Sequence, residues 1–146
     1  MDASTTQYDA RYLAGIVLFN RGDFFEAHEV WESLWMEARP EKKFYQGLIQ
    51  AAVALCHFCN GNMRGAAKLF KSGRDYMQRF ESPLLGLDHT DFWQKMERCF
   101  ADVLIQGDPV TRVPVPEELI PTIELNPAPG AWPDPEPFLH EDEDRS

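Results

Sequence analysis

The chain has 146 residues, 44% of them hydrophobic, a length that suits one domain with a core that needs no disulfides or metals. Its net charge of −10 comes from its C-terminal part, because residues 1–116 carry 15 acidic and 13 basic side chains, whereas residues 117–146 carry nine acidic side chains and one arginine. A nearly neutral body with an acidic tail offers no surplus of Lys and Arg, so we expect binding to neither nucleic acid nor membranes.

The N-terminus has neither the basic start nor the apolar run of a signal peptide. The sequence also lacks a stretch of about 18 apolar residues, which a membrane span would need. Three cysteines, an odd number in a short chain, are typical of reduced thiols and not of a disulfide framework. We therefore expect a cytoplasmic protein.

Hydrophobic spacing predicts five helices, at about residues 8–21, 23–39, 41–59, 63–80 and 90–105. The first ends at Asn20-Arg21-Gly22, and Asp23 can then cap the second, with Glu26 three residues on. Pro40 ends the second helix and suits the first turn of the third. The pattern predicts an all-α fold, a compact bundle of two successive helical hairpins and a fifth helix.

The two hairpins are copies of one another at an offset of about 39 residues, a period found in helical-hairpin repeats. The residues Phe19, Gly22, Ala27, Val30 and Trp31 align with Phe58, Gly61, Ala66, Leu69 and Phe70. Two copies are fewer than the roughly three that a free-standing solenoid needs. The repeat therefore predicts a compact bundle.

The composition changes at about residue 106, since nine of the eleven prolines follow that point. Prolines at this density exclude helix. Branched apolar residues such as Val113, Ile123 and Leu125 are mixed among them, which argues against complete disorder. We expect a helical domain over residues 1–105 and a Pro-rich acidic arm over residues 106–146, of which about 106–125 lies extended on the body.

His28 falls in the middle of the apolar stripe of the second helix, so its ring is expected to be buried. Glu32 lies one turn further on, within reach of the imidazole, and Glu29 is nearer the solvent edge. The stretch from His28 to Glu32 is similar to the zinc-peptidase helix but lacks its second histidine, which excludes a peptidase. Two interpretations remain open, a core histidine hydrogen-bonded to Glu32 and a metal site with fewer than the usual three ligands. No metal or other cofactor is predicted.

Three polar side chains of the third helix, Gln46, Gln50 and His57, fall along one line of its surface. The short connection at Pro40 makes the second and third helices antiparallel neighbours. We therefore expect Gln46 and Gln50 to lie level with the polar residues of the second helix and to face them inside the bundle.

The fourth helix carries a basic side, formed by Arg64, Lys68, Lys71, Arg74 and Arg79. Such a side is usually a solvated face. Because the tail is strongly acidic, a second interpretation is that the tail or a small anion docks at Arg64, Lys68 and Lys71.

The run from Phe19 to Glu32, FNRGDFFEAHEVWE, followed by Trp35, resembles the defining segment of the family catalogued as domain of unknown function 309. Two further blocks agree, the one from Phe44 to Gln50 and the one from Gly61 to Ala66. The resemblance extends over roughly residues 8–82 and implies a small all-helical fold found in prokaryotes and plastid-bearing lineages. It implies no reaction, cofactor or catalytic residue. The family signature includes the polar residues His28, Glu29, Glu32, Gln46, Gln50 and His57.

Two functions from different classes remain open. The first is a binding or scaffold module that presents a groove to an extended protein or peptide partner, with the chain's own arm as a candidate occupant. The second is a small-molecule or metal-dependent enzyme that uses His28 and Glu32. The sequence slightly favours the module, and it specifies neither the partner nor the oligomeric state.

Overall fold

A computed structural model describes residues 8–37 and 40–139 of the chain. Within these residues it contains no strand, one 3-10 turn at Glu117–Leu119, and seven α-helices: α1 (Ala10–Asn20), α2 (Phe24–Trp35), α3 (Lys42–Cys59), α4 (Met63–Met77), α5 (His89–Cys99), α6 (Ala101–Leu104) and α7 (Glu136–Leu139). The predicted all-α class is therefore confirmed. The predicted fifth helix is divided into α5 and α6 at Phe100, whose ψ of 6° departs from helical geometry.

The turn between α1 and α2 and the turn between α3 and α4 share one geometry, in which a glycine with positive φ follows the helix. The N–H after each glycine donates to a carbonyl five residues earlier, Asp23 to Leu18 at 2.9 Å and Asn62 to His57 at 2.8 Å. This is the Schellman closure, and it satisfies carbonyls that the end of a helix leaves unpaired. The glycines are Gly22 (φ 88°) and Gly61 (φ 83°).

Asp23 occupies the N-cap position of α2, but its side chain makes no capping hydrogen bond, so the predicted cap is wrong. Its ψ is 66°, against 86° at Asn62 and Asp88, both of which do cap their helices. Asn62 does cap α4 by accepting from the N–H of Gly65 at 2.9 Å. Asp88 caps α5 in the same way by accepting from the N–H of Asp91 at 3.1 Å.

Helix α5 completes the core by packing across both hairpins. Its Phe92 contacts Phe19 of the first hairpin, with ring centroids 5.9 Å apart, and its Trp93 contacts Phe70 of the second at 5.4 Å. Phe100 also packs on Phe70, at 5.1 Å. All five rings are at most 5% exposed, and burying each side chain contributes about 1.5–3 kcal/mol. The two hairpins therefore share one core, as expected for a compact bundle.

Residues that follow α6 pack on this bundle, mostly without regular secondary structure. Asp108 forms an ion pair with Arg64 at 3.2 Å, and the 3-10 turn lies against α5. Further on, Ile123 and Leu125 are 2% and 7% exposed and belong to the hydrophobic core. Helix α7 then packs against α2, so the prediction that the prolines exclude helix is wrong for one short turn, at whose start proline is tolerated. In the part of the chain that the structure describes, no helix is long and apolar enough to cross a membrane.

Candidate functional site

His28 and Glu32 lie close together on α2, but they do not form the expected hydrogen bond. The Nδ1–H of His28 donates to the carbonyl oxygen of Phe25 at 2.7 Å, within its own helix. This bond leaves Nε2 of His28 at 3.7 Å from Oε2 of Glu32, beyond hydrogen-bond length. The His28 side chain is 17% exposed and that of Glu32 is 53% exposed, so the imidazole is largely buried and the carboxylate reaches solvent. Glu29 is half-buried.

Gln46, Gln50 and His57 are also half-buried. Gln50 lies against α4, because a Cβ added at Gly73 would be 3.1 Å from its Cβ, and its Oε1 is buried without a hydrogen-bond partner. His57 lies at the turn into α4, where its Nδ1 is 3.3 Å from Nδ2 of Asn62. The polar side chains of α3 that contact α4 are thus spread over several turns of the helix.

That Gln46 and Gln50 face the polar residues of α2 stays a prediction, although Gln50 also lies against α4. The Nδ1–H of His28 bonds within α2, whereas Gln50 and His57 of α3 contact α4 or the turn that precedes it. Among residues 8–37 and 40–139, no group of three or more His, Cys, Asp or Glu side chains is placed to hold a metal ion.

The basic side of α4 divides into two parts in the structure. Arg64 pairs with Asp108 of the arm, at Nε to Oδ1 3.2 Å, whereas Lys68 and Lys71 are exposed. The acidic residues beyond 139, whose docking at these cations was the second interpretation, lie outside the described part of the chain. Arg74 departs from this side, because its guanidinium lies 5.3 Å from the ring of Phe70.

Asn20 makes two hydrogen bonds between the helical body and the arm. Its Nδ2–H donates to the carbonyl oxygen of Ile123 at 3.0 Å, and its Oδ1 accepts from the N–H of Ile123 at 2.8 Å. The side-chain amide thereby satisfies both backbone groups of one residue, as a neighbouring strand would. We call this pair of hydrogen bonds the Asn20 clamp.

Burial alternates along the segment that the Asn20 clamp holds. Pro121, Ile123 and Leu125 are buried, whereas Thr122 and Glu124 between them are exposed. This period of two is the pattern of an extended strand with one face against a core. The body therefore offers successive apolar slots to every second side chain, together with main-chain hydrogen bonding, a combination that is typical of extended-peptide recognition.

Two further hydrogen bonds hold the end of this segment. The N–H of Asn126 donates to the carbonyl of Gly86 at 2.9 Å, and the hydroxyl of Tyr8 donates to the carbonyl of Pro127 at 2.6 Å. Tyr12 donates to the carbonyl of Leu85 at 2.9 Å and thereby fixes the loop that carries Gly86. We define the arm groove as the surface formed by Asn20, the loop 84–87, α5 and Tyr8.

A cavity of about 470 Å³ lies beside the Asn20 clamp, between the turn that follows α1 and the arm. Its lining includes Phe19, Phe24 and Cys59 of the body and Val115 and Ile120 of the arm. Burial raises the pKa of the Cys59 thiol above its ordinary value, with the neighbouring Cys56 as a smaller cause. The cavity wall is therefore largely apolar, and the Cys59 thiol stays protonated at neutral pH.

Asn20 was not predicted to be a functional residue, because it lies in the helix stop Asn20-Arg21-Gly22. One signal was present in the internal repeat. At the offset of about 39 residues Asn20 aligns with Cys59, so the amide is not required by a turn geometry that both copies share. Because the turn does not require an amide at this position, the Asn20 side chain is available to bond to the arm.

The fold and the arm groove define a small all-helical domain that holds an extended segment against the turn of its first hairpin. Residues 12–69 match the model of a family described as "Domain of unknown function (DUF309)", which confirms the resemblance inferred from the sequence. The match includes Tyr12 and Asn20, and it ends before the loop 84–87 and the arm.

Two relatives are similar to this chain. The "Uncharacterized protein YpuF" of Bacillus subtilis (strain 168) is 33% identical over 101 residues, 66% of this chain and 58% of that protein. An "Uncharacterized protein" of Aquifex aeolicus (strain VF5) is 46% identical over 55 residues, 36% of this chain and 16% of that protein. The chain thus spans less than two thirds of the length of either relative.

Proposed function

We propose that this chain is a cytoplasmic binding module whose arm groove binds an extended, proline-containing aliphatic segment. The Asn20 clamp carries the proposal, because it recognises the backbone of an extended residue through two hydrogen bonds of 3.0 and 2.8 Å. Alternating burial of Pro121, Ile123 and Leu125 supplies side-chain selectivity along the same segment. The three cysteines are free, as is usual in a reducing compartment.

In this chain the occupant is its own arm, which acts as an intramolecular competitor for any partner. A short tether gives the arm an effective concentration on the order of millimolar. A partner segment must therefore bind with higher affinity than the tethered arm or be present at a higher concentration. This arrangement favours regulated binding, in which release of the arm exposes the groove.

The alternative of a small-molecule or metal-dependent enzyme gains no support from His28 and Glu32. Their closest atoms are 3.7 Å apart, Glu32 is half exposed, and the imidazole N–H is already bound to a backbone carbonyl. The described residues place no third metal ligand beside them.

The test uses the full chain with the double substitution Ile123→Asp and Leu125→Asp, which we call the arm-release variant. A fluorescein-labelled peptide that corresponds to residues 117–129 is titrated into it, and anisotropy reports binding. We expect saturable binding to the arm-release variant and at least tenfold weaker binding to the wild type, because the wild-type arm fills the groove.

Asn20→Ala added to the arm-release variant should weaken peptide binding at least tenfold, because both clamp hydrogen bonds are lost. Asn60→Ala is the matched control, since Asn60 is an exposed asparagine in the second repeated turn. Circular dichroism establishes that each variant is folded. Failure of a folded arm-release variant to bind the peptide, or equal binding by all variants, would contradict the proposal.

A further inference from the structure

A cleft of about 310 Å³ lies between α4 and α5, and no described residue of the arm lines it. This volume is at the lower end of the range for small-molecule sites. Phe80 and Trp93 supply aromatic surface, and Arg74, His89 and Gln94 supply polar groups. The cleft therefore combines a cation with flat apolar surface, and it is separate from the arm groove.

Arg74 lines the cleft with a partly exposed side chain, whose Nε has no hydrogen-bond partner in the part of the chain that the structure describes. Its side chain is 31% exposed, and its Nε is buried without a hydrogen-bond partner among the described residues. The Oδ1 atom of Asp75 lies 3.8 Å from this Nε, which is too far for a hydrogen bond. The Nε atom is too buried for a ligand to reach, so a ligand in the cleft would pair with the terminal guanidinium nitrogens of this partly exposed side chain.

Two aromatic rings that line the cleft, those of Trp93 and His89, have N–H donors that already have partners. The indole Nε1–H of Trp93 donates to Sδ of Met77 at 3.1 Å, and Nε2–H of His89 donates to the carbonyl of Glu81 at 3.0 Å. Both rings are thereby fixed in position. Arg74 is therefore the cation of the cleft that can bind a ligand. The rings of Trp93 and Phe80 line the cleft beside it.

The charges around the cleft restrict the class of anion. Arg74 is the one Lys or Arg among the residues that line it, and Glu97 lines it as well. The Glu97 and Asp75 carboxylates repel a ligand in proportion to its charge, so they repel a doubly charged phosphate about twice as strongly as a singly charged carboxylate. A planar monoanion fits the fork of a guanidinium, and a flat ring attached to it fits the aromatic wall.

We propose that the cleft between α4 and α5 binds a small aromatic carboxylate, with the carboxylate paired to Arg74 and the ring against Trp93 and Phe80. This inference does not depend on the arm groove. The two can fail separately, because their tests use different ligands and different variants.

The test follows the side-chain N–H resonances of Arg74 and Trp93 in the ¹⁵N-labelled full chain during titration with benzoate, acetate and inorganic phosphate. We expect benzoate to give saturable shifts of both resonances, with an affinity at least tenfold higher than that of acetate or phosphate. Acetate tests the carboxylate alone, and phosphate tests charge alone.

Arg74→Lys should weaken benzoate binding at least tenfold, because lysine keeps the charge and loses the planar fork. Arg79→Lys is the matched control, since Arg79 lies outside the cleft, 5.2 Å from the ring of Tyr76. Glu97→Gln, at an exposed position, should raise the affinity for benzoate about threefold by removing a nearby like charge. It provides the test if Arg74→Lys does not fold.

Shifts that stay linear with benzoate concentration would overturn the proposal, as would phosphate binding as tight as benzoate. The same holds if a folded Arg74→Lys variant binds like the wild type. Where Glu97→Gln provides the test, an unchanged affinity for benzoate overturns the proposal.

Discussion

Asn20→Ala removes both hydrogen bonds of the Asn20 clamp without disturbing the core, because Asn20 lies at the surface of the bundle. Each bond contributes a net of about 0.5–1.5 kcal/mol, so two contribute about 1–3 kcal/mol. The substitution also leaves the N–H and the carbonyl of Ile123, a residue only 2% exposed, without their partner. We therefore expect arm opening to become about 5–150 times more frequent.

Hydrogen exchange at the Ile123 amide measures this opening, because Oδ1 of Asn20 accepts from that N–H. Its exchange rate should rise by the factor given above in Asn20→Ala and remain unchanged in the control Asn60→Ala. The amide of Leu48, in the middle of α3, separates arm opening from global unfolding and should be unaffected. Unchanged exchange at Ile123, or equal acceleration at Leu48, would refute the reasoning.

Three other predictions follow from buried groups. Gly15→Ala should destabilise the fold by about 1–3 kcal/mol in a urea melt, because an added Cβ would collide with the indole of Trp31; unchanged stability would contradict that packing. Burial raises the pKa of Tyr12 above 10.0, so folding stability should fall as pH rises beyond that value, and Tyr12→Phe should flatten this alkaline dependence; parallel curves would refute it. Burial raises the pKa of Cys99 to about 12, so near pH 8 Ellman's reagent should modify exposed Cys59 well before Cys99; equal rates would contradict this order.

The helices were predictable because their signals are local. Apolar spacing marks the face of each helix, and Gly22 and Gly61 mark two ends at which positive φ is required. The division between α5 and α6 at Phe100 was not predictable, since the sequence carries no glycine or proline there. The cap at Asp23 was predicted wrongly because residue type alone does not determine a backbone angle.

The candidate sites depended on long-range geometry, which the sequence does not show. Asn20 and Ile123 are 103 residues apart, so no local pattern joins them. His28 was expected to bond to Glu32, but its Nδ1–H bonds to a carbonyl within α2, a choice that residue spacing does not determine. Arg74 was expected on the solvated side of α4, but its guanidinium lies over the ring of Phe70.

The register of the arm in its groove tests the central proposal most directly. A second labelled peptide exchanges Thr122 with Ile123 and Glu124 with Leu125, so composition and charge are kept while the apolar side chains move to the opposite face. Titrated into the arm-release variant, the native peptide should bind at least tenfold more tightly than the exchanged peptide. Equal affinity for the two peptides would contradict recognition of an extended segment by alternating slots and the Asn20 clamp.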